Sequence, residues 1–276
     1  MIVEGVRRAD GSPVDVRTDG TGPGLVLVHG ARPAVDYAKL AERLGVRFTV
    51  HRYEREEIGG DGARYAVADD VALLGAVLTH TGARLVLGHG LGGLVALLAT
   101  GALLDRCIDR IAVYDAVLPL DGSVPEEALE QAARALATGS PDLALAHLDR
   151  HLRTSPLGRT AVGRSDRVQR LVGGVLARTD WGRSTAARLP QVLAETRAGL
   201  QLNSPADVYA GLPARALLLT GERSPEHFGI AARELAAAVP SATALVAGGC
   251  GHDSLLRAAR KCVLPLETFL AGDTLF

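Results

Sequence analysis

Several things are scarce in this chain of 276 residues, and each scarcity removes a class of function. Its three cysteines, Cys107, Cys250 and Cys262, are an odd number with no CxxC or Cys/His ligand spacing. Neither a disulfide framework nor a zinc site is expected, and no metal is assigned. The formal net charge of −1 offers no general attraction to nucleic acid or to an anionic membrane surface. Lysine occurs only at Lys39 and Lys261, the other basic residues being arginine, which reads first as a coding bias. No uninterrupted apolar run reaches the roughly 18 residues that a membrane-spanning helix needs. The start, Met1 to Arg8, carries no apolar segment of the secretory type. A cytoplasmic protein is the expectation. Glycines are frequent but lack the G-x-x-x-x-G-K-[ST] phosphate loop, and no GxGxxG is followed by an acidic residue placed for a ribose. No nucleotide and no other cofactor is therefore expected.

What is present is apolar and ordered. Hydrophobic residues make up 47% of the chain and the mean hydropathy is +0.16, enough for a sizeable core and against disorder. Val3 to Arg17 reads as a hairpin around Asp10-Gly11-Ser12-Pro13. Leu25-Val26-Leu27-Val28 is a continuous apolar run, the pattern of a strand covered on both faces. A helix over 35–45, a strand at Phe48–His51, a polar loop over 54–62 and a helix from Val67 to Leu78 follow. Strands at Leu85–Leu87 and Ile111–Tyr114 continue the alternation, which predicts a mostly parallel sheet flanked by helices. From Pro119 to about Pro213 the periodicity is helical throughout, with segments at 125–137, 142–153, 165–178 and 185–200. The alternation then resumes with a strand at Arg215–Thr220, a helix at 226–238, a strand at Ala242–Ala247 and a helix from about Ser254 to Leu270. The expected organisation is a core of 1–118 and 213–276, interrupted by an all-helical lid over 119–212.

The centre of the chain is Leu85-Val86-Leu87-Gly88-His89-Gly90-Leu91-Gly92-Gly93, an apolar strand running into crowded glycines and then the apolar stretch Leu94–Thr100. This is the shape of a nucleophile elbow, G-x-S-x-G, with Gly90 where the serine would stand. A residue on such a turn takes a backbone conformation that glycine adopts at little cost. The alternative is that the elbow lies elsewhere, but Ser123, Ser140, Ser155, Ser224 and Ser254 all fall outside a strand–turn–helix context.

Five motifs in order resemble the α/β-hydrolase family, in particular its lidded actinobacterial members. They are Leu25-Val26-Leu27-Val28-His29-Gly30, Gly88-His89-Gly90-Leu91-Gly92-Gly93, Val113-Tyr114-Asp115, Leu217 to Pro225, and Gly248-Gly249-Cys250-Gly251-His252. The resemblance runs from about Val3 to Leu270 and implies the α/β-hydrolase fold. It also implies an oxyanion hole from the backbone amides of Ala31 or Arg32 with that of Leu91, which needs no particular side chain. The plainer reading is a pair of well-packed βα turns. His252 falls on the family's general base; the plainer reading is a packed loop residue. For the acid, the resemblance leaves Asp115 and Glu222 open, with Asp115 preferred, because Ser224 stands where an aspartate is usual. Either carboxylate could equally be a surface group or a helix cap. His89 is expected as a structural neighbour of the elbow and His29 as a turn residue beneath the oxyanion loop. His80, His147 and His151 are expected to be solvated. After His51 the family commonly places a D-R-x-G-x-G-x-S-like turn; Arg52 to Gly60 departs from it.

Two functions follow from these readings. One is an enzyme without an acyl-serine route, using His252 as a base for cyclisation, elimination, C–C rearrangement or water addition. Its substrate would be a small hydrophobic molecule, and the resemblance implies a role in secondary metabolism. The other is a catalytically inactive pseudo-hydrolase that binds a small ligand or a protein partner. The oligomeric state is left open.

Overall fold

The computed structural model describes residues 2–8, 10–55, 65–102, 108–124, 126–152 and 165–274. An antiparallel hairpin opens the chain, β1 (Ile2–Arg7) with β2 (Pro13–Asp19). The strands β3 (Gly24–Val28), β4 (Thr49–Arg52), β5 (Leu85–His89), β6 (Arg110–Tyr114), β7 (Arg215–Gly221) and β8 (Ala242–Ala247) complete one eight-stranded sheet. The spatial order is β1-β2-β4-β3-β5-β6-β7-β8. Only the β1–β2 and β2–β4 pairings are antiparallel; the other five are parallel.

The apolar runs of the parallel strands have a simple cause. Alternate residues face opposite sides of a strand, and both sides of this sheet are covered. Val26, Val28, Val86, Ile111, Val113 and Leu218 join one core with α2 (Val67–Thr81), α3 (Leu91–Ala102) and α9 (Glu226–Ala238). Leu25, Leu27, Leu85, Leu87, Leu217 and Leu219 join a second core with α1 (Ala38–Leu44) and α10 (Arg260–Ala271).

Between β6 and β7 the named elements are helical: α4 (Glu127–Ala137), α5 (Pro141–Leu152), α6 (Asp166–Leu176), α7 (Asp180–Ala187) and α8 (Leu189–Leu200), with a short 3-10 turn at Ala206–Tyr209. Their apolar faces close a small core of their own, including Leu129, Ala144, Leu148, Leu176, Val192 and Leu193.

Two boundaries differ from the periodicity. The helix expected over 185–200 is two helices, broken at Arg188 ahead of Pro190, whose ring removes a backbone donor and suits a first turn. The last helix begins at Arg260 and not near Ser254, because His252–Ser254 forms a 3-10 turn and Ala258 takes a positive φ of 50°. Beyond Glu54 and Arg55 the polar 54–62 loop lies outside the described residues. Among the described residues no helix is long and apolar enough to cross a membrane.

Candidate active site

The sheet order places the C-terminal ends of β3, β5, β6, β7 and β8 side by side, the edge where open α/β sheets receive ligands. The turn after β5 is built by close approach. A Cβ on Gly92 would stand 2.3 Å from the carbonyl oxygen of His29, and one on Gly93 would stand 2.6 Å from the Cβ of Ala116. Neither position accepts a side chain without moving backbone. Gly90 differs: its φ is +55°, yet the nearest atoms to an added Cβ are the Cα of Gly30 at 3.7 Å and Cε1 and Nε2 of His252 at 3.8 and 3.9 Å. A side chain at Gly90 would meet ordinary van der Waals contacts and would point at the His252 ring.

His252 reaches this place from the loop after β8. Its Nδ1 lies 3.2 Å from Oδ2 of Asp115, the fully buried residue that follows β6. Asp115 has a positive φ of 44°, and its backbone N–H donates to Leu219 O at 3.0 Å. Two further donors hold the carboxylate. The Gly221 N–H donates to Oδ1 at 2.9 Å and the Ser224 hydroxyl donates to Oδ2 at 2.5 Å. With Asp115 as acceptor, the proton of a neutral His252 sits on Nδ1 and leaves Nε2 as the acceptor beside Gly90. Burial works against charging this imidazole. The hydrogen bond and charge of Asp115, with the charge of Asp253, outweigh burial and hold its pKa above the ordinary 6.5. Tyr114 fixes the loop by donating its hydroxyl to Gly251 O at 2.8 Å.

Of the two expected acids, the structure brings only Asp115 to the histidine. Glu222 is corrected: its Oε2 accepts the Gly249 N–H at 2.6 Å on the exposed side of the loop. It therefore ties down the turn that carries His252 without touching the ring. Ser224, at the position where an aspartate was looked for, donates to Asp115 instead.

Ala31, Gly90 and Leu91 line one cavity with His252. Leu91 is the first residue of α3, so its N–H has no acceptor within the helix. The Arg32 guanidinium turns to Asp36, with Nε donating at 2.6 Å. His89 is packed as expected: its Nδ1 lies 2.6 Å from the Tyr37 hydroxyl, which also accepts the Gly30 N–H at 3.0 Å. His29 supports the same loop, its Nε2 accepting the Arg55 N–H at 2.9 Å.

Three features escaped the sequence. His147 and His151 are not solvated: burial pushes both below the ordinary 6.5, His151 to about 4, and His151 lines the cavity. His227, at the start of α9, stacks on His151 at 5.2 Å between ring centroids, and its neighbour Phe228 stacks on His252 at 5.4 Å. The i, i+4 spacing of His147 and His151 gave no signal of this, since only His151 reaches the cavity, while His147 faces a groove with Arg134 and Asp166. The third is Arg55, completely buried. It donates to Asp70 Oδ2 at 2.5 Å, Glu195 Oε2 at 2.6 Å and His29 O at 2.8 Å. One guanidinium thereby joins α2, α8 and the loop after β3. Nothing local marks Arg55 in the sequence, since Glu54-Arg55-Glu56-Glu57 reads as a solvated charge run.

The cavity over Gly90 is small, about 40 Å³, and mostly apolar, with Leu148 and Phe228 among its walls.

Residues 25–263 match the profile of the alpha/beta hydrolase family. Among solved structures, an alpha/beta hydrolase from Sphaerobacter thermophilus is 25% identical, with a TM-score of 0.69 over 94% of this chain and 98% of that one. The enol-lactonase of Burkholderia xenovorans is 21% identical, with a TM-score of 0.62 over 94% and 96%. The esterase RhEst1 of a Rhodococcus species is 20% identical, with a TM-score of 0.63 over 99% of both chains. No curated protein matches the sequence.

Proposed function

The chain belongs to the alpha/beta hydrolase family, and from that premise we propose that it is an enzyme which has given up the acyl-serine route and uses His252 as a general base. The observation that carries this reading is the aim of His252 at Gly90. The ring is held by Asp115, and its Cε1 and Nε2 lie 3.8 and 3.9 Å from where a Cβ on Gly90 would be. A base in a held orientation remains useful without a nucleophile, because it takes a proton from whatever stands above the turn.

The proposed machinery has three parts. Asp115 positions His252, fixes its tautomer and favours its protonated state during turnover. His252 Nε2 removes a proton from a carbon next to a carbonyl, or from water. The amides of Leu91 and Ala31 or Arg32 stabilise the oxygen on which negative charge develops. Such a set serves cyclisation, elimination, C–C rearrangement or water addition on a small, mainly hydrophobic molecule, with α4–α8 acting as the lid. A place in secondary metabolism belongs to the same proposal.

One observation favours the second reading, a pseudo-hydrolase that only binds a ligand or a partner. The 40 Å³ cavity is well below the several hundred Å³ of an ordinary small-molecule pocket. Solvent deuterium exchange separates the two. The enzyme reading expects the wild type to speed α-proton exchange in a panel of simple carbonyl compounds, and His252→Ala to abolish it. No exchange above buffer in any of them would favour the binding protein.

A further inference from the structure

The polar groups on the cavity wall are not equally engaged. Glu195 is held by Arg55 at 2.6 Å and by the Gln191 amide at 2.5 Å, and the Thr196 hydroxyl donates to Val192 O at 2.7 Å. His252 spends Nδ1 on Asp115. His151, on α5, meets the His227 ring face to face at an interplanar angle of 20°, and among the described residues its ring nitrogens have no hydrogen-bond partner. Its ring reaches the same small cavity as His252 from the opposite, helical side.

We propose that His151 is the second substrate-binding group of this site, and that the substrate is a small neutral hydroxy-carbonyl compound. Its carbonyl lies over Gly90 within reach of His252 and its hydroxyl is hydrogen-bonded by His151. This rests on the general-base reading and names the substrate class for it.

Three observations select that class. Among the described residues no lysine or arginine lines the cavity, so these walls give a carboxylate or phosphate no fixed counter-charge to offset its desolvation. The remaining wall, with Leu91, Val117, Leu148 and Phe228, rewards a compact carbon skeleton. The His151 imidazole, kept neutral by burial, offers one N–H donor and one acceptor nitrogen, the complement of an alcohol. A plain ketone or a long-chain ester would leave that pair unanswered.

The chemical step balances without a co-reactant. His252 Nε2 takes the proton from the carbon between carbonyl and hydroxyl. The C–H electron pair passes to the carbonyl oxygen as an enolate, and the same nitrogen returns a proton to the same carbon as the electron pair moves back, which exchanges the hydrogen and restores the compound. His151 stays neutral throughout and holds the hydroxyl in line.

The test uses the intact chain with hydroxyacetone and butanone as probes. First, the ring resonances of His151 and His252 are followed by NMR as each ketone is added. We expect hydroxyacetone to shift both rings and butanone to leave His151 unmoved. Second, α-deuterium exchange is measured for both ketones against an imidazole-buffer blank. His151→Phe, which keeps a ring in the stack, is expected to lower hydroxyacetone exchange by about threefold to tenfold, the worth of one hydrogen bond. That variant should reduce the preference for hydroxyacetone over butanone, and His151→Gln should restore part of it. An unmoved His151 resonance, an equal response to butanone, or an unchanged His151→Phe preference overturns the proposal. Exchange of neither ketone, with the His151 resonance still shifted by hydroxyacetone, upholds the binding role and overturns the general-base reading instead.

Discussion

Nδ1 of His252 stands 3.2 Å from Oδ2 of Asp115, across the ends of two strands that are not neighbours in the sequence. The contact joins the strand after the central turn to the loop after the last strand. It leaves the far nitrogen of the ring over Gly90.

Removing Asp115 should act on both charge and folding. The Asp115→Ala variant leaves the Gly221 N–H, the Ser224 hydroxyl and the His252 ring without their acceptor, at a cost of about 2–4 kcal/mol. The His252 pKa is raised in the folded protein. Its stabilising contribution is therefore complete below the ordinary 6.5 and fades as pH rises through the folded value. Urea unfolding should show a larger gap between wild type and Asp115→Asn at pH 5.5 than at pH 8.5. An equal gap at the two pH values would mean that the pair adds nothing to the protonated state.

His151 has the opposite sign. Burial holds its pKa down to about 4, below the ordinary 6.5. Between those values the unfolded chain binds a proton that the folded chain refuses, so stability falls as pH falls through that window. The His151→Phe variant should lose less stability than wild type between pH 6.5 and pH 4. Parallel acid profiles would place the His151 ring in water.

Arg55 should be among the least replaceable residues away from Gly90. It is fully buried between two buried carboxylates, Asp70 and Glu195. Truncation takes the guanidinium away from both buried carboxylates, at about 3–5 kcal/mol. Lysine should not rescue it, because one ammonium cannot meet Asp70, Glu195 and the His29 carbonyl in the same plane. Thermal unfolding of Arg55→Lys tests this, and a wild-type Tm would refute it.

Much of this fold could be read from periodicity because the sheet is covered on both sides. Leu25–Val28 and Leu217–Leu219 are continuous apolar runs for that reason, and their ends place the loops carrying the site. His252 and Gly90 were legible because each sits in a glycine-rich turn with a distinctive local pattern. The acid was not settled by sequence. Asp115 and Glu222 both follow strands, and only the positive φ at Asp115 and the donors at Gly221 and Ser224 direct one of them to the histidine. His151, His227 and Arg55 were beyond reach because their surroundings are assembled from α5, α8, α9 and the loop after β4, segments far apart in the chain.

Gly90 itself gives a stability prediction. Alanine at a φ of +55° is strained by about 1–2 kcal/mol, while the 3.7 Å clearance to Gly30 adds no steric penalty. Gly90→Ala should therefore fold with a modestly lowered Tm. A collapse of the fold would show that the turn is tighter than these distances.

The most direct measurement of the central relationship is ester hydrolysis by Gly90→Ser. The added hydroxyl would stand beside Nε2 of His252 with Asp115 behind it. Folded Gly90→Ser should hydrolyse p-nitrophenyl acetate above the wild-type rate and lose that gain in the His252→Ala background. A folded Gly90→Ser protein that is no better than wild type would contradict the claim that Gly90 holds a nucleophile's position before a working base.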